Sequence, residues 1–179
     1  VDVTEAVGRL GALQAQEAKP LFVALWSRVE GFSEGALVDA FAAKTVVRGT
    51  LMRGTVHLAR AEDFLRWQPV LAPLGVEGLS KVVGGRLEGA DIDGAISDVR
   101  KLFADAEELS ADDVRDWIGE HRPSEDTRAV ARVALYALPL VRVPDGGRWG
   151  FTPKSKFTSS RHFLGKDPRA NAPSLIRSY

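Results

Sequence analysis

Apolar residues recur at helical spacing from the start of the chain. Val3, Val7, Leu10 and Leu13 predict a helix that fades near Gln14 to Glu17, with Asp2 or Thr4 as its N-cap. Pro20 suits the first turn of a second helix, Leu21 to Val29, which contains Trp26 and ends at Gly31. Ser33 followed by Glu34 opens a third, with Leu37, Val38 and Phe41 on its apolar side and an end near Ala43. The pattern then changes: Thr45 to Arg48 and Met52 to Leu58 are β-branched and broken by Gly49 and Gly54, a hairpin signature. Three helices followed by a hairpin is the order of a winged helix.

The next stretch predicts a helix over Glu62 to Leu71, bent or ended by Pro69 and Pro73. A glycine-rich run, 75–89, predicts a short helix with a loose break at Gly84-Gly85. Ile96, Val99, Leu102 and Phe103 mark a core-facing helix from Asp93 to Ala106. Ser110 with Asp113 forms a capping-box pattern ahead of a helix ending before Pro123. Val130, Val133, Ala134 and Ala137 give the inward face of a helix from Asp126 to Leu138. Leu140 to Val143, a turn at Asp145-Gly146-Gly147 and Arg148 to Thr152 read as a second hairpin. The expected fold is therefore mainly α with small β-hairpins (α+β), in a tandem winged-helix arrangement. Residues 1–60 form the first winged helix, 61–106 a helical connector and 107–158 the second winged helix. Residues 159–179 begin a further, truncated module, as expected for a fragment of a longer chain.

Composition narrows the chemistry. The chain has 179 residues, 45% hydrophobic and 27% charged, which is ordinary for a globular protein. There is no cysteine, so disulfides, thiolate metal sites and thiol nucleophiles are excluded. No apolar run reaches the ~18 residues of a membrane span, and no signal-peptide pattern opens the sequence, so a cytoplasmic protein is expected. Net charge is zero, but it is unevenly spread. Residues 61–141 carry nine basic and sixteen acidic side chains; residues 142–179 carry eight basic and two acidic. That last stripe, which includes Arg142, Arg148, Lys154 and Lys156, is what a polyanion partner needs. As a wing tip, Arg142 and Arg148 would flank a loop lying along a phosphate backbone.

His57, His121 and His162 lie in no metal-ligand spacing, and neither a P-loop nor a nucleophile elbow is present, so no metal and no cofactor is expected. Two segments remain. In Leu13-Gln14-Ala15-Gln16, glutamines spaced i, i+2 point about 200° apart on a regular helix and converge only where the helix ends. In Met52-Arg53-Gly54-Thr55-Val56-His57-Leu58, a strand places Thr55 and His57 on one face, and Gly54 admits a bulge.

Together with Asp63-Phe64, these segments resemble the AlkZ-type DNA glycosylases, a winged-helix family that includes crosslink-unhooking enzymes of antibiotic-producing bacteria. In that family a Q-φ-Q motif carries catalysis, and it matches Gln14 and Gln16 with Ala15 between them. Some relatives have Asp in the second place; Gln16 puts this sequence on the crosslink-glycosylase side. The resemblance implies a monomeric, nucleoid-associated bacterial repair enzyme acting on duplex DNA that carries an alkylated purine. It makes Gln14 and Gln16 the catalytic pair. Arg53 and His57, with Thr55, support the hairpin or contact phosphate. A non-catalytic winged-helix DNA-binding protein is the main alternative, and it needs no glutamine pair; a protein-interaction domain is the other.

Overall fold

The computed structural model describes residues 1–146, 151–152 and 154–177. Asp2 accepts the Glu5 amide and starts α1 (Val3–Arg9). Gly11, at φ 76°, then turns the chain, and Leu13–Gln14 runs extended as β1. The helix is thus shorter than its apolar spacing predicts. Leu13 and Gln14 pair instead with Leu58 and His57 of β3, and the Ala15 amide bonds the Val56 carbonyl at 2.8 Å. Backbone bonds to an open sheet edge outweigh further helical turns here.

Helices α2 (Ala18–Trp26) and α3 (Glu34–Ala42) follow, the latter capped by Ser33. Then come β2 (Val46–Thr50) and β3 (Val56–Arg60), joined by a tight turn through Arg53 and Gly54. This is the helix–helix–helix–hairpin order expected from the pattern, with β1 added at the edge.

Helix α4 (Ala61–Val83) is continuous through Pro69 and Pro73, contrary to the expected bend or stop. Pro69 has no amide hydrogen for the Leu65 carbonyl. The Arg169 backbone amide takes that place at 2.9 Å, and the Asn171 amide bonds the Arg66 carbonyl at 3.0 Å. Segment 169–171 thus replaces a hydrogen bond the sequence removes. The helix ends where a break is predicted, at Gly84 (φ 56°).

Helix α5 (Ile92–Asp105) is followed by α6 (Ala111–His121), opened by the capping box of Ser110 and Asp113, and by α7 (Thr127–Ala137), capped by Asp126. Strand β4 (Leu140–Arg142) pairs with β5 (Phe157–Ser159); most of the expected return strand, Arg148 to Thr152, lies outside the described residues. The Asp145 carboxylate accepts from the Thr152 amide (2.9 Å) and from the Thr152 (2.6 Å) and Ser155 (2.8 Å) hydroxyls. Those three bonds tie Thr152 and Ser155 back to Asp145, just past the end of β4. Short helices α8 (Ser160–Leu164) and α9 (Ala172–Arg177) close the chain.

Among the described residues, the β2–β3 and β4–β5 pairs join with β1 in one five-stranded antiparallel sheet, order β1-β3-β2-β4-β5, in an α+β fold. On one face Ala15, Val46 and Leu58 pack with α1, α2 and α3. On the other, Val47, Ala59 and Val141 meet Phe64 and Trp67 of α4. A third cluster, with Val99, Ile118 and Val130, holds α5, α6 and α7 together. Burying each such large side chain stabilises the fold by about 1.5–3 kcal/mol. Gly49 lets the Phe64 ring lie against β2; a Cβ there would collide with it.

Candidate active site

In an extended chain, residues i and i+2 share a face. Gln14 and Gln16 therefore stand side by side, and Gln14 Nε2 donates to Gln16 Oε1 at 2.9 Å. Between them Ala15 is fully buried in the core, which fixes which way its neighbours point. Both glutamines are exposed. The expected convergence at a helix end is replaced by convergence on a strand edge. Among the described residues, the Gln14 carbonyl oxygen has no hydrogen-bond partner. Donation by the Gln14 amino group polarises that amide and makes its carbonyl a stronger acceptor.

His57 lies opposite Gln14 in the β1–β3 register. It is buried, and its Nδ1 bonds the Thr55 carbonyl at 2.8 Å. Burial pulls its pKa below the usual 6.5, aided by nearby Arg53 and opposed by the Thr55 carbonyl bond, so the ring is neutral at pH 7. Because the unfolded chain binds the proton more readily, stability is full above pH 6.5 and falls as pH drops below it. Urea midpoints at pH 7 and pH 5 check this. The loss at pH 5 is expected to be smaller in His57→Gln than in wild type; equal losses would contradict it.

The Thr55 hydroxyl donates to the Met52 carbonyl at 3.3 Å, inside the hairpin turn. Arg53 is exposed at the tip and holds a left-handed backbone (φ 50°), which costs a non-glycine residue about 1 kcal/mol. Arg142 is half-buried: its guanidinium lies 3.9 Å from the centre of the Phe157 ring and donates to the Ser155 carbonyl at 2.9 Å. Lys154 and Lys156 are exposed. Arg148 lies outside the described residues.

Gln16 opens onto a cleft of about 410 Å³ between the first hairpin and α6–α7. Thr50, Gly54 and Val56 of the hairpin line it, as do Arg128, Arg132 and Tyr136 of α7, the paired Asp112 and Arg115 of α6, and Arg142 and Phe157. Arg128 and Arg132 are exposed and, among the described residues, have no carboxylate partner. Tyr136 reaches across to Gly54. The sequence reading missed these three. Their spacing, i, i+4 and i+8, puts them on one face of α7, a signal that was available beside the inward apolar face. A larger groove, about 630 Å³, is lined by Lys44, Arg66, Lys166 and Arg169 but touches neither glutamine. Among the described residues no group of three or more His, Asp or Glu side chains is placed to hold a metal ion.

Comparison with known proteins places the chain in a family. Residues 7–179 match the model of the AlkZ-like family, described as DNA glycosylase AlkZ-like. The chain belongs to the AlkZ-like DNA glycosylase family. It is similar in structure to the Streptomyces sahachiroi DNA glycosylase AlkZ, with a TM-score of 0.71 at 20% identity. That likeness, which concerns the fold, covers 100% of this chain and 51% of the other, so the AlkZ-like chain spans about half the length of that relative. No curated protein sequence matches it. Among the described residues no helix is long and apolar enough to cross a membrane.

Proposed function

We propose that this AlkZ-like chain carries the hydrolytic site of a monofunctional DNA repair glycosylase that releases N7-alkylguanine from duplex DNA. Gln14 and Gln16 position the attacking water. N7-alkylation makes the guanine cationic, so the C1′–N9 bond breaks with its electron pair passing into the ring, which leaves neutral. The sugar carries positive charge in the transition state, as in glycoside hydrolysis. Little acid help is then needed; what remains is to place a water at C1′ and to stabilise that charge. A glutamine amide is a weak base, but its carbonyl accepts a hydrogen bond from water and turns a negative dipole to the cation. The water oxygen adds to C1′ and its proton passes to solvent.

The observation that carries this reading is the hydrogen-bonded amide pair, with the Gln14 carbonyl open, at the mouth of a cleft that exposes Arg128 and Arg132. Those cations suit the phosphates flanking the lesion. Residues 1–60 and 107–158 are taken as two winged helices, joined by 61–106 and followed by the start of a third, in an enzyme that acts as a monomer. Unhooking of interstrand crosslinks is the same bond cleavage on a larger N7 substituent, and belongs to the proposal.

The test is base release from a duplex containing one N7-methylguanine, incubated with the full-length protein. Free N7-methylguanine and an abasic site are expected, and undamaged duplex is expected to stay intact. Salt-sensitive binding without release, from both N7-methylguanine and crosslinked duplexes, would leave a DNA-binding module instead.

A further inference from the structure

We infer that Arg48 is a positioning residue for the glutamine pair, clamping the backbone at Ala15 so that Gln16 stays at the cleft with Gln14 bonded to it. This rests on the reading of Gln14 and Gln16 given above. Arg48 sits on β2, within the sheet, and is 3% exposed. Its Nε donates to the Ala15 carbonyl at 3.2 Å. Since β3 lies between β1 and β2, this bond passes under a whole strand. Its guanidinium carbon stands 3.4 Å from the centre of the Phe151 ring, and its Nη1 is 3.5 Å from Ser155 Oγ. Burial above all, with Arg142 nearby and Asp145 opposing, draws its pKa down to about 9, so it is still a cation at neutral pH.

A buried charge is costly, and an apolar side chain would suit the same sheet face, where Leu13 and Leu58 pack. What the arginine adds is a link. Strand β1 is two residues long and lies at the sheet edge, so few backbone bonds hold it. Arg48 supplies one more, at the residue between the glutamines. It is itself held by the loop after β4, where Asp145 bonds Ser155 and Thr152. The second hairpin region therefore sets the geometry of a motif on the first. A misplacement of about 1 Å costs a reacting pair on the order of 100-fold in rate.

The experiment uses the full-length protein with Arg48→Met, Arg48→Lys and Phe151→Leu. It reads single-turnover release of N7-methylguanine, affinity for the same duplex, and the side-chain amide signals of Gln14 and Gln16 in ¹⁵N spectra. Arg48→Met is expected to lower the rate about 10- to 100-fold with affinity unchanged within about twofold. Arg48→Lys, which keeps the charge, is expected to recover part of the rate, and the amide signals should shift in Arg48→Met. A folded Arg48→Met protein with wild-type rate and unshifted amide signals would overturn the inference; so would rate and affinity falling together. If Arg48→Met does not fold, Phe151→Leu, which removes the supporting ring, decides by the same readouts. If the wild type releases no base, the reading of the glutamines fails, and the amide signals alone decide whether Arg48 positions them.

Discussion

Gly54→Ala is expected to destabilise the protein by roughly 2–4 kcal/mol. Gly54 has φ 68°, in the left-handed region, where an alanine costs about 1 kcal/mol or more. A Cβ there would also fall on the Tyr136 hydroxyl. Tyr136 is fitted between Gly54 and Gly75, and a Cβ on Gly75 would meet its ring too. The tyrosine tip must shift to make room, and overpacking of this kind costs about 1–3 kcal/mol. Urea unfolding of wild type, Gly54→Ala and Gly54→Ala/Tyr136→Phe checks this. The double variant should recover the part due to the hydroxyl and keep the backbone part. A single variant within about 0.5 kcal/mol of wild type would show that the hairpin tip adjusts freely.

Gln14→Ala and Gln16→Ala are each expected to lower base release on the order of 100-fold, the usual effect of losing one preorganised polar group. The double variant is expected to lose little more than either single. The two amides share one hydrogen bond, and the Gln14 carbonyl is polarised only while Gln16 accepts from its amino group. Additive losses would mean that the glutamines act separately. Single-turnover rates of the four proteins form the complete cycle.

Much of the fold was legible in the sequence. The capping box of Ser110 and Asp113, the hairpin around Gly54 and the break at Gly84 follow from local chemistry, and each is present. Three features were not legible, because long-range bonds decide them. The β1 segment follows a helical apolar spacing, yet its register is set by Leu58 and His57, more than forty residues on. Pro69 marks a helix stop, and only the Arg169 amide removes that mark. The Asp145 turn signal says nothing of its bonds to Thr152 and Ser155, or of the pairing of β4 with Phe157–Ser159.

At the site the sequence named the glutamines and not their geometry. An i, i+2 pair diverges on a helix and converges on a strand, so the secondary-structure reading decided the chemistry. Nothing local in the sequence marks Arg48 as buried, because it packs on Phe151, a hundred residues away in sequence. Arg128, Arg132 and Tyr136 were spaced to be found, but nothing local says which surface they face.

The central claim is that the amide pair serves bond hydrolysis and not DNA affinity. The most direct measurement is N7-methylguanine release and duplex binding side by side, for the full-length wild type and the Gln14→Ala/Gln16→Ala variant at matched salt. Release lost with affinity kept within about threefold is the predicted result. Release at the wild-type rate from the double variant would contradict it.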